Sequence, residues 1–167
     1  MSEDDLQLEG VSSNEAGLLA NLLELYIHDL SEVFSVDIGA DGRFGYPQLP
    51  LYWTEPERRF PFFIKRSNRI LGFVLITFAD HLIHDIAEFF VLRRYRRSGV
   101  GREAAFLAWD RFPGNWTVRV SEGNAGALEF WRRATDEYTN GAVTERRREG
   151  NPIAWRVFSF PSRRPRG

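Results

Sequence analysis

The chain has 167 residues, of which 43% are hydrophobic and 14% aromatic, so it is long enough for one domain with a sizeable core and too apolar to be disordered. It contains no cysteine, which excludes a disulfide framework, a thiol nucleophile and a cysteine-based metal site. The net charge of −1 hides an asymmetry, because residues 1–60 carry −9 and residues 61–167 carry +8, which suits a polyanion on the basic part and a cation on the acidic part.

The first third of the chain predicts a strand, a long helix and a loop. Residues 6–11 alternate weakly between apolar and polar side chains, as a short strand does. Residues 12–14 are good helix caps, and leucines at helical spacing then predict an amphipathic helix over residues 15–34. Residues 37–61 are rich in glycine, proline and aromatic side chains, which is typical of a lid or a binding loop.

The remainder alternates between strands and helices. Residues 62–66 and 69–78 flank Ser67 and Asn68 and predict a hairpin. A strand over 83–92, a helix over 98–112, a strand over 116–120 and a helix over 125–134 follow. Residues 138–147 and 154–160 predict two final strands, and residues 161–167 a disordered basic tail. This order predicts a single α+β domain over residues 6–160 with a mainly antiparallel sheet.

A glycine-containing turn joins the strand at 83–92 to the next helix. Gly99 and Gly101 allow the backbone to approach a ligand closely and direct several N–H groups at one point. The helix N-terminus adds partial positive charge, and Arg96, Arg97 and Arg102 add full charges. The turn therefore predicts a pyrophosphate site. Ala104 occupies the position where the dinucleotide fingerprint requires its third glycine, so that motif does not fit.

Two motifs carry a family resemblance. Residues 96–101 match Arg/Gln-x-x-Gly-x-Gly/Ala at all three fixed positions, and Val91 precedes them at the usual distance. Residues 124–131 match Asn-x-x-Ala-x-x-Phe-Tyr except at Trp131. The chain thus resembles the GNAT superfamily of acyl-CoA-dependent N-acyltransferases. The resemblance implies α/β/α layers, with a mostly antiparallel sheet whose central parallel strands splay apart between flanking helices.

The resemblance also implies acetyl-CoA as cofactor and assigns residues to it. In the family, pantetheine pairs with the strand ahead of the turn, the turn holds the pyrophosphate, and the second motif contacts the CoA arm. The corresponding residues here are Phe90, Val91, Leu92, Arg96, Arg97, Ser98, Gly99, Val100, Gly101, Arg102, Asn124, Ala127, Phe130 and Trp131. Many family members protonate the leaving thiolate with a tyrosine at the position of Trp131, and indole is no useful acid. The alternatives are that the thiolate leaves without an acid, that another tyrosine such as Tyr138 or Tyr26 serves, or that transfer is impaired.

A primary amine must lose a proton before it attacks a thioester. For a lysine-like amine of pKa about 10.4, reaching the neutral form at pH 7 costs roughly 4–5 kcal/mol, so a carboxylate base is expected. Glu88 lies among apolar residues on the predicted strand. Asp85 lies six residues before Val91, where several family members carry a base. Either carboxylate is a candidate base, and so is a group other than these two, such as His84.

The amine acceptor of such an enzyme is usually bound by the first helix, the following loop and the late strands. Here these segments contain acidic and aromatic side chains that suit an organic ammonium, chiefly Tyr26, Asp29, Tyr46 and Trp53.

The leading hypothesis is therefore an acetyl-CoA-dependent N-acetyltransferase that transfers an acetyl group directly to a small-molecule or peptide amine in a ternary complex. The alternative is a catalytically weak acyl-CoA-binding or sensing module, suggested by Trp131. Without a long apolar segment, zinc-like histidine spacing or a nucleic-acid motif, we expect no membrane, metal or nucleic-acid binding. The acidic N-terminus is unlike a targeting signal, so a cytoplasmic location is expected, and a homodimer is a further hypothesis.

Overall fold

The computed structural model describes residue 2, residues 4–79 and residues 82–164. Its seven strands are β1 (Gln7–Gly10), β2 (Arg59–Arg66), β3 (Arg69–Ala79), β4 (Ile83–Val91), β5 (Asn115–Ser121), β6 (Thr144–Arg148) and β7 (Trp155–Pro161). Its helices are α1 (Ala16–Leu30), α2 (Leu51–Thr54), α3 (Val100–Arg111) and α4 (Ala125–Thr139). Within the described ranges, no helix is long and apolar enough to cross a membrane.

The strands form one sheet in the order β1-β2-β3-β4-β5-β7-β6, in which β4 and β5 are parallel and the other neighbours are antiparallel. One face of the sheet packs on α3 and α4 through a core that includes Trp109 and Trp131. The other face packs on α1 and α2 through Leu19, Leu23 and Tyr52. The predicted mixed, mostly antiparallel sheet with flanking helices is confirmed.

The first helix is shorter than the predicted span of residues 15–34. A 3₁₀ turn over Ser13–Glu15 precedes it, with a capping box between Ser12 and Glu15. The helix ends at Leu30, and the hydroxyl of the next residue, Ser31, donates to the carbonyl oxygen of His28 at 2.6 Å. The predicted loop over 37–61 was too long, since it contains α2 and since β2 begins at Arg59.

The predicted strand over residues 138–147 is wrong at its start. Helix α4 continues through Tyr138 to Thr139, because Trp131, Ala134 and Tyr138 share the buried face at helical spacing. Asn140 then ends the helix in a left-handed conformation (φ 52°), and β6 begins only at Thr144.

The predicted basic tail over residues 161–167 begins in ordered structure. Pro161 ends β7, and the backbone N–H of Ser162 donates to the carbonyl of Gly114 at 2.8 Å. Arg163 forms an ion pair with Asp110, and residues 165–167 lie outside the described residues.

Candidate active site

A cleft opens in the sheet where β4 and β5 separate. The two strands pair only from Ile83 to Ile86 on β4 and from Asn115 to Val118 on β5, and beyond these residues they diverge. The gap leads into a cavity of about 390 Å³, within the range of small-ligand sites. Its walls come from α1, β4, β5, α4 and β7, and are formed by Tyr26, Leu30, Phe34, Ile86, Ala87, Glu88, Phe89, Val118, Arg119, Val120, Ser121, Asn124, Ala127, Trp131 and Trp155.

The carboxylate of Glu88 lies at this separation point and accepts two tyrosine hydrogen bonds. The Tyr26 hydroxyl donates at 2.5 Å and the Tyr46 hydroxyl at 3.2 Å. Burial raises the pKa of the Glu88 carboxyl above its usual value, although both hydrogen bonds and the charge of Arg119 act in the opposite direction. Burial and the neighbouring carboxylate also raise the pKa of Tyr26 and of Tyr46, so both hydroxyls stay protonated. A partly buried carboxylate with a raised pKa is suited to accept a proton near neutral pH.

A β-bulge determines which way Glu88 faces. Leu75 and Ile76, adjacent on β3, pair with Glu88 and Ile86, so Ala87 is an extra residue in β4. As a result Ile86 packs in the core beneath α3 and α4, whereas Glu88 faces α1 with Asp85. In a regular strand, residues three apart would face opposite sides of the sheet.

Asp85 has different partners from Glu88. Its buried carboxylate accepts hydrogen bonds from the Arg119 guanidinium at 2.7 Å and from the Thr117 hydroxyl at 2.8 Å. Both partners belong to β5, directly across the parallel pairing. The charge of Asp85 is therefore already balanced within the protein, whereas that of Glu88 is met by neutral hydroxyl groups.

The turn after β4 presents a row of backbone donors. Among the described backbone and side-chain hydrogen bonds, the N–H groups of residues 97–102 have no acceptor, and the first returning bond is from Glu103 to the Gly99 carbonyl at 3.0 Å. Residues 96–99 are exposed. Arg97 (φ 59°) and Gly99 (φ 84°) adopt left-handed conformations that turn successive N–H groups toward one side. Backbone N–H groups left without a partner at the N-terminus of a helix can bind an anion.

The two glycines of the turn have different roles. A side chain on Gly99 would meet no atom within 4 Å, but its positive φ strongly favours glycine. Gly101 instead permits close packing, because an added Cβ would lie 3.2 Å from the Phe130 ring. Val100 between them is buried.

The polar side chains of the turn bond mainly within the protein. Arg96 donates to the Val91 carbonyl at 2.7 Å and pairs with Asp29, which also pairs with Arg93. Ser98 donates its hydroxyl to the Tyr95 carbonyl at 2.6 Å. Of the other two arginines of the turn, Arg102 pairs with Glu137 and Arg97 is exposed.

The end of β4 offers an unpaired edge toward the cleft. Phe90 and Val91 are buried, and neither pairs with β5. The N–H of Leu92 donates to the Leu71 carbonyl at 2.8 Å and is thus occupied.

Helix α4 supplies the opposite wall. The side-chain oxygen of Asn124 caps the helix by accepting from the Ala127 N–H at 3.2 Å, and both residues line the cleft. Trp131 also lines it, packed edge-on against Phe89 at 4.9 Å between ring centroids. Phe130 packs against Gly101 beside the cleft.

The side chains expected to bind the acceptor are divided. Tyr26 and Tyr46 meet at Glu88, as described above. Asp29 is held by two arginines, and the Trp53 indole donates to the Val11 carbonyl at 3.0 Å, so both are engaged away from the cleft. Tyr138, a candidate substitute acid, is buried in the opposite core, and its hydroxyl donates to Asp110 at 2.7 Å.

Sequence reasoning missed Arg119 and Trp155, which both line the cleft. The alternation along β5 contains a signal for Arg119: Trp116, Val118 and Val120 are buried on one face, so Arg119 must face the other. For Trp155 we find no comparable signal.

The sequence of residues 21–135 matches the family model described as the Acetyltransferase (GNAT) family. The chain belongs to this family. Curated protein sequences include no match to it. Among the described residues, no group of three or more histidine, aspartate or glutamate side chains could hold a metal ion.

Solved structures of GNAT proteins share the fold over almost the whole chain. An acetyltransferase from Thermus thermophilus is 15% identical, with a TM-score of 0.71 over 96% of this chain and 99% of that one. Spermidine N-acetyltransferase from Vibrio cholerae, solved with CoA and spermine, is 11% identical, with a TM-score of 0.65 over 94% and 95% of the two chains. FdhC, described as a nucleotide-linked sugar GNAT, is 15% identical, with a TM-score of 0.66 over 95% and 87%. Proteins with such different acceptors share this fold, so the fold does not specify the acceptor.

Proposed function

We propose that this protein is an N-acetyltransferase that moves an acetyl group from acetyl-CoA to a primary amine within a ternary complex. The observation that carries the proposal is the combination of parted β4 and β5 strands with a turn of six unbonded N–H groups at the end of β4. In the proposed arrangement the cleft beside Glu88 holds the acyl end of the cofactor, and the turn holds its pyrophosphate.

The residues of the turn and cleft fit the cofactor. The N–H groups of residues 97–102 would hold its pyrophosphate, and Gly99 leaves open space on their exposed side. The unpaired edge of β4 and the Asn124 and Ala127 wall would hold its pantetheine arm. When bound there, the cofactor supplies a thioester carbonyl open to attack by an amine.

Glu88 is the proposed general base. Its raised pKa and its position in the cleft suit removal of a proton from the acceptor ammonium. Tyr26 and Tyr46 hold the carboxylate in one orientation through their hydroxyls. Asp85 and Arg119 act as a neutral pair that supports the adjoining strands.

The absence of cysteine supports direct transfer. With no cysteine in the chain, no thiol can carry the acetyl group in an intermediate step. Tyr26 is the tyrosine that lines the cleft, whereas Tyr138 bonds to Asp110 in the opposite core. We therefore propose that Tyr26 gives a proton to the leaving thiolate, the role that a tyrosine at position 131 has in other family members, and regains a proton from Glu88, which has taken one from the amine.

Thiol release tests the proposal directly. The purified protein is incubated with acetyl-CoA and a panel of primary amines, and free CoA is measured with a chromogenic disulfide reagent. Because the chain has no cysteine, the reagent reports only CoA. Amine-dependent release supports transfer. If the protein binds acetyl-CoA but releases no CoA with any amine, it is the alternative, a binding or sensing module with Trp131 in place of the tyrosine. The cytoplasmic location and the homodimer stay predictions.

A further inference from the structure

A second cavity lies beside the cleft on the α1 side. It has a volume of about 410 Å³ and is lined by Ile27, Leu30, Phe34, Val36, Asp37, Phe44 and Gly45. Leu30 and Phe34 also line the cleft that contains Glu88, so the two cavities share a wall. Gly45, which lines the second cavity, precedes Tyr46, whose hydroxyl donates to Glu88. We call this second space, which is open to solvent, the apolar cavity.

The lining of the apolar cavity is almost free of charge. Among the described residues that form it, Asp37 is the one that carries a charge, and Asp37 is exposed. Nearby acidic side chains are already paired: Glu24 with Arg43 at 3.4 Å, and Asp29 with two arginines.

We propose that the acceptor is a primary monoamine with an apolar group about the size of a phenyl ring or a short alkyl chain. This inference rests on the proposed function. The amine lies at Glu88, and the apolar group fills the apolar cavity between α1 and the Phe44 loop. The acceptor is not a polyamine, although a polyamine is present in the Vibrio cholerae structure that shares the fold.

The two acceptor classes differ in the cost of desolvation. An apolar group gains free energy when it leaves water for the side chains of Ile27, Phe34 and Phe44. A second ammonium group placed there would face apolar side chains, would lose part of its hydration and would find a single exposed carboxylate, that of Asp37. The apolar cavity therefore selects for the first class and against the second.

Steady-state kinetics on an amine series tests this selectivity. Through ethylamine, butylamine and hexylamine, kcat/KM is expected to rise about fourfold for each added methylene until the cavity is filled. With 2-phenylethylamine, kcat/KM is expected to exceed that with spermidine at least tenfold. A flat alkyl series, or spermidine as the better substrate, overturns the proposal.

A pair of variants in the same segment locates the effect. Phe44→Ala enlarges the apolar cavity and is expected to lower the ratio of kcat/KM between 2-phenylethylamine and ethylamine about tenfold. Ile38→Ala removes an exposed side chain that does not line either cavity, and this ratio is expected to be unchanged. Equal ratios in the two variants contradict the assignment.

Binding measurements separate this inference from the proposed function. Calorimetry on the CoA-loaded protein requires no turnover, and 2-phenylethylamine is expected to bind more tightly than spermidine, with loss of affinity in Phe44→Ala. If that pattern appears without acetyl transfer to any amine, the acceptor class holds and the proposed activity fails. If transfer occurs but spermidine binds more tightly, the activity holds and the acceptor class is refuted.

Discussion

Replacement of Glu88 by glutamine is the sharpest test of the proposed chemistry. The amide keeps the size of the carboxylate. Its oxygen can accept from one of the two tyrosines, Tyr26 or Tyr46, and its nitrogen can donate to the hydroxyl oxygen of the other. It cannot accept a proton from an ammonium group. The change therefore removes the base while residue 88 keeps a hydrogen-bond partner on each side, one of the two bonds being reversed in direction.

The expected magnitude follows from the proton that must be removed. A lysine-like amine at pH 7 needs roughly 4–5 kcal/mol to reach its neutral form, and a positioned base typically contributes a factor of about 10²–10⁴. We expect kcat/KM of Glu88→Gln to fall by about that factor at pH 7. In the wild type, kcat/KM should rise with pH through the raised pKa of the Glu88 carboxyl, because only the ionised form accepts the proton. The variant should lose this rise, which is the acidic limb of the pH profile.

Thiol release measured from pH 5 to pH 9 provides the assay, with Asp85→Asn as the matched control. Asp85 lies on the same strand and the same face, but its carboxylate pairs with Arg119. The control should keep the acidic limb and should lower the free energy of unfolding by about 1–2 kcal/mol, because it weakens a buried ion pair. Near-normal activity in Glu88→Gln together with loss of the limb in Asp85→Asn would refute the assignment of the base.

Glu88→Gln is expected to lower activity but to raise the stability of the fold at neutral pH. Burial raises the pKa of Glu88 in the folded state, so ionisation of this group costs more in the folded than in the unfolded chain. The contribution of the Glu88 carboxyl to the free energy of unfolding is fully present below the unfolded pKa of about 4.3, and it is lost as the pH rises through the folded pKa. Compared with the wild type, Glu88→Gln should therefore gain stability as the pH rises to 7. Thermal unfolding at pH 4 and pH 7 measures this difference, and a gain only at pH 4 would contradict it.

Three further substitutions test the turn and the helices. Gly99→Glu should abolish acetyl-CoA binding in calorimetry, whereas Gly42→Glu, with a similar backbone strain at φ 78° in another loop, should bind normally; equal loss in both would implicate strain instead of the anion site. Tyr138→Phe should lower the free energy of unfolding by about 1 kcal/mol with kcat unchanged, and a large fall in kcat would reinstate it as the acid. Gly101→Ala should lower the melting temperature, and Phe130→Leu in the same chain should recover part of the loss if the clash with that ring is the cause.

The turn near residue 100 was predictable because its conformation depends on the local backbone. Glycine spacing, a preceding apolar strand and a following helical pattern are local features, and they fix where N–H groups are left without partners. The arginines of the same turn were less predictable. Arg96 and Arg102 bond to Asp29 and Glu137, residues that are distant in sequence, and no local pattern specifies such pairs.

The sequence by itself determined the family, the order of the main strands and helices and the location of the glycine-containing turn near residue 100, since all three depend on residues close together in the chain. Tertiary structure alone decided which groups surround the carboxylates of Glu88 and Asp85. The extra residue Ala87 turns Glu88 to the same face as Asp85, and this bulge depends on how β4 aligns with β3. Tyr26 then reaches Glu88 from 62 positions away in sequence. A period of two residues in a strand predicts faces only while the register is unbroken, and the register is a property of paired strands.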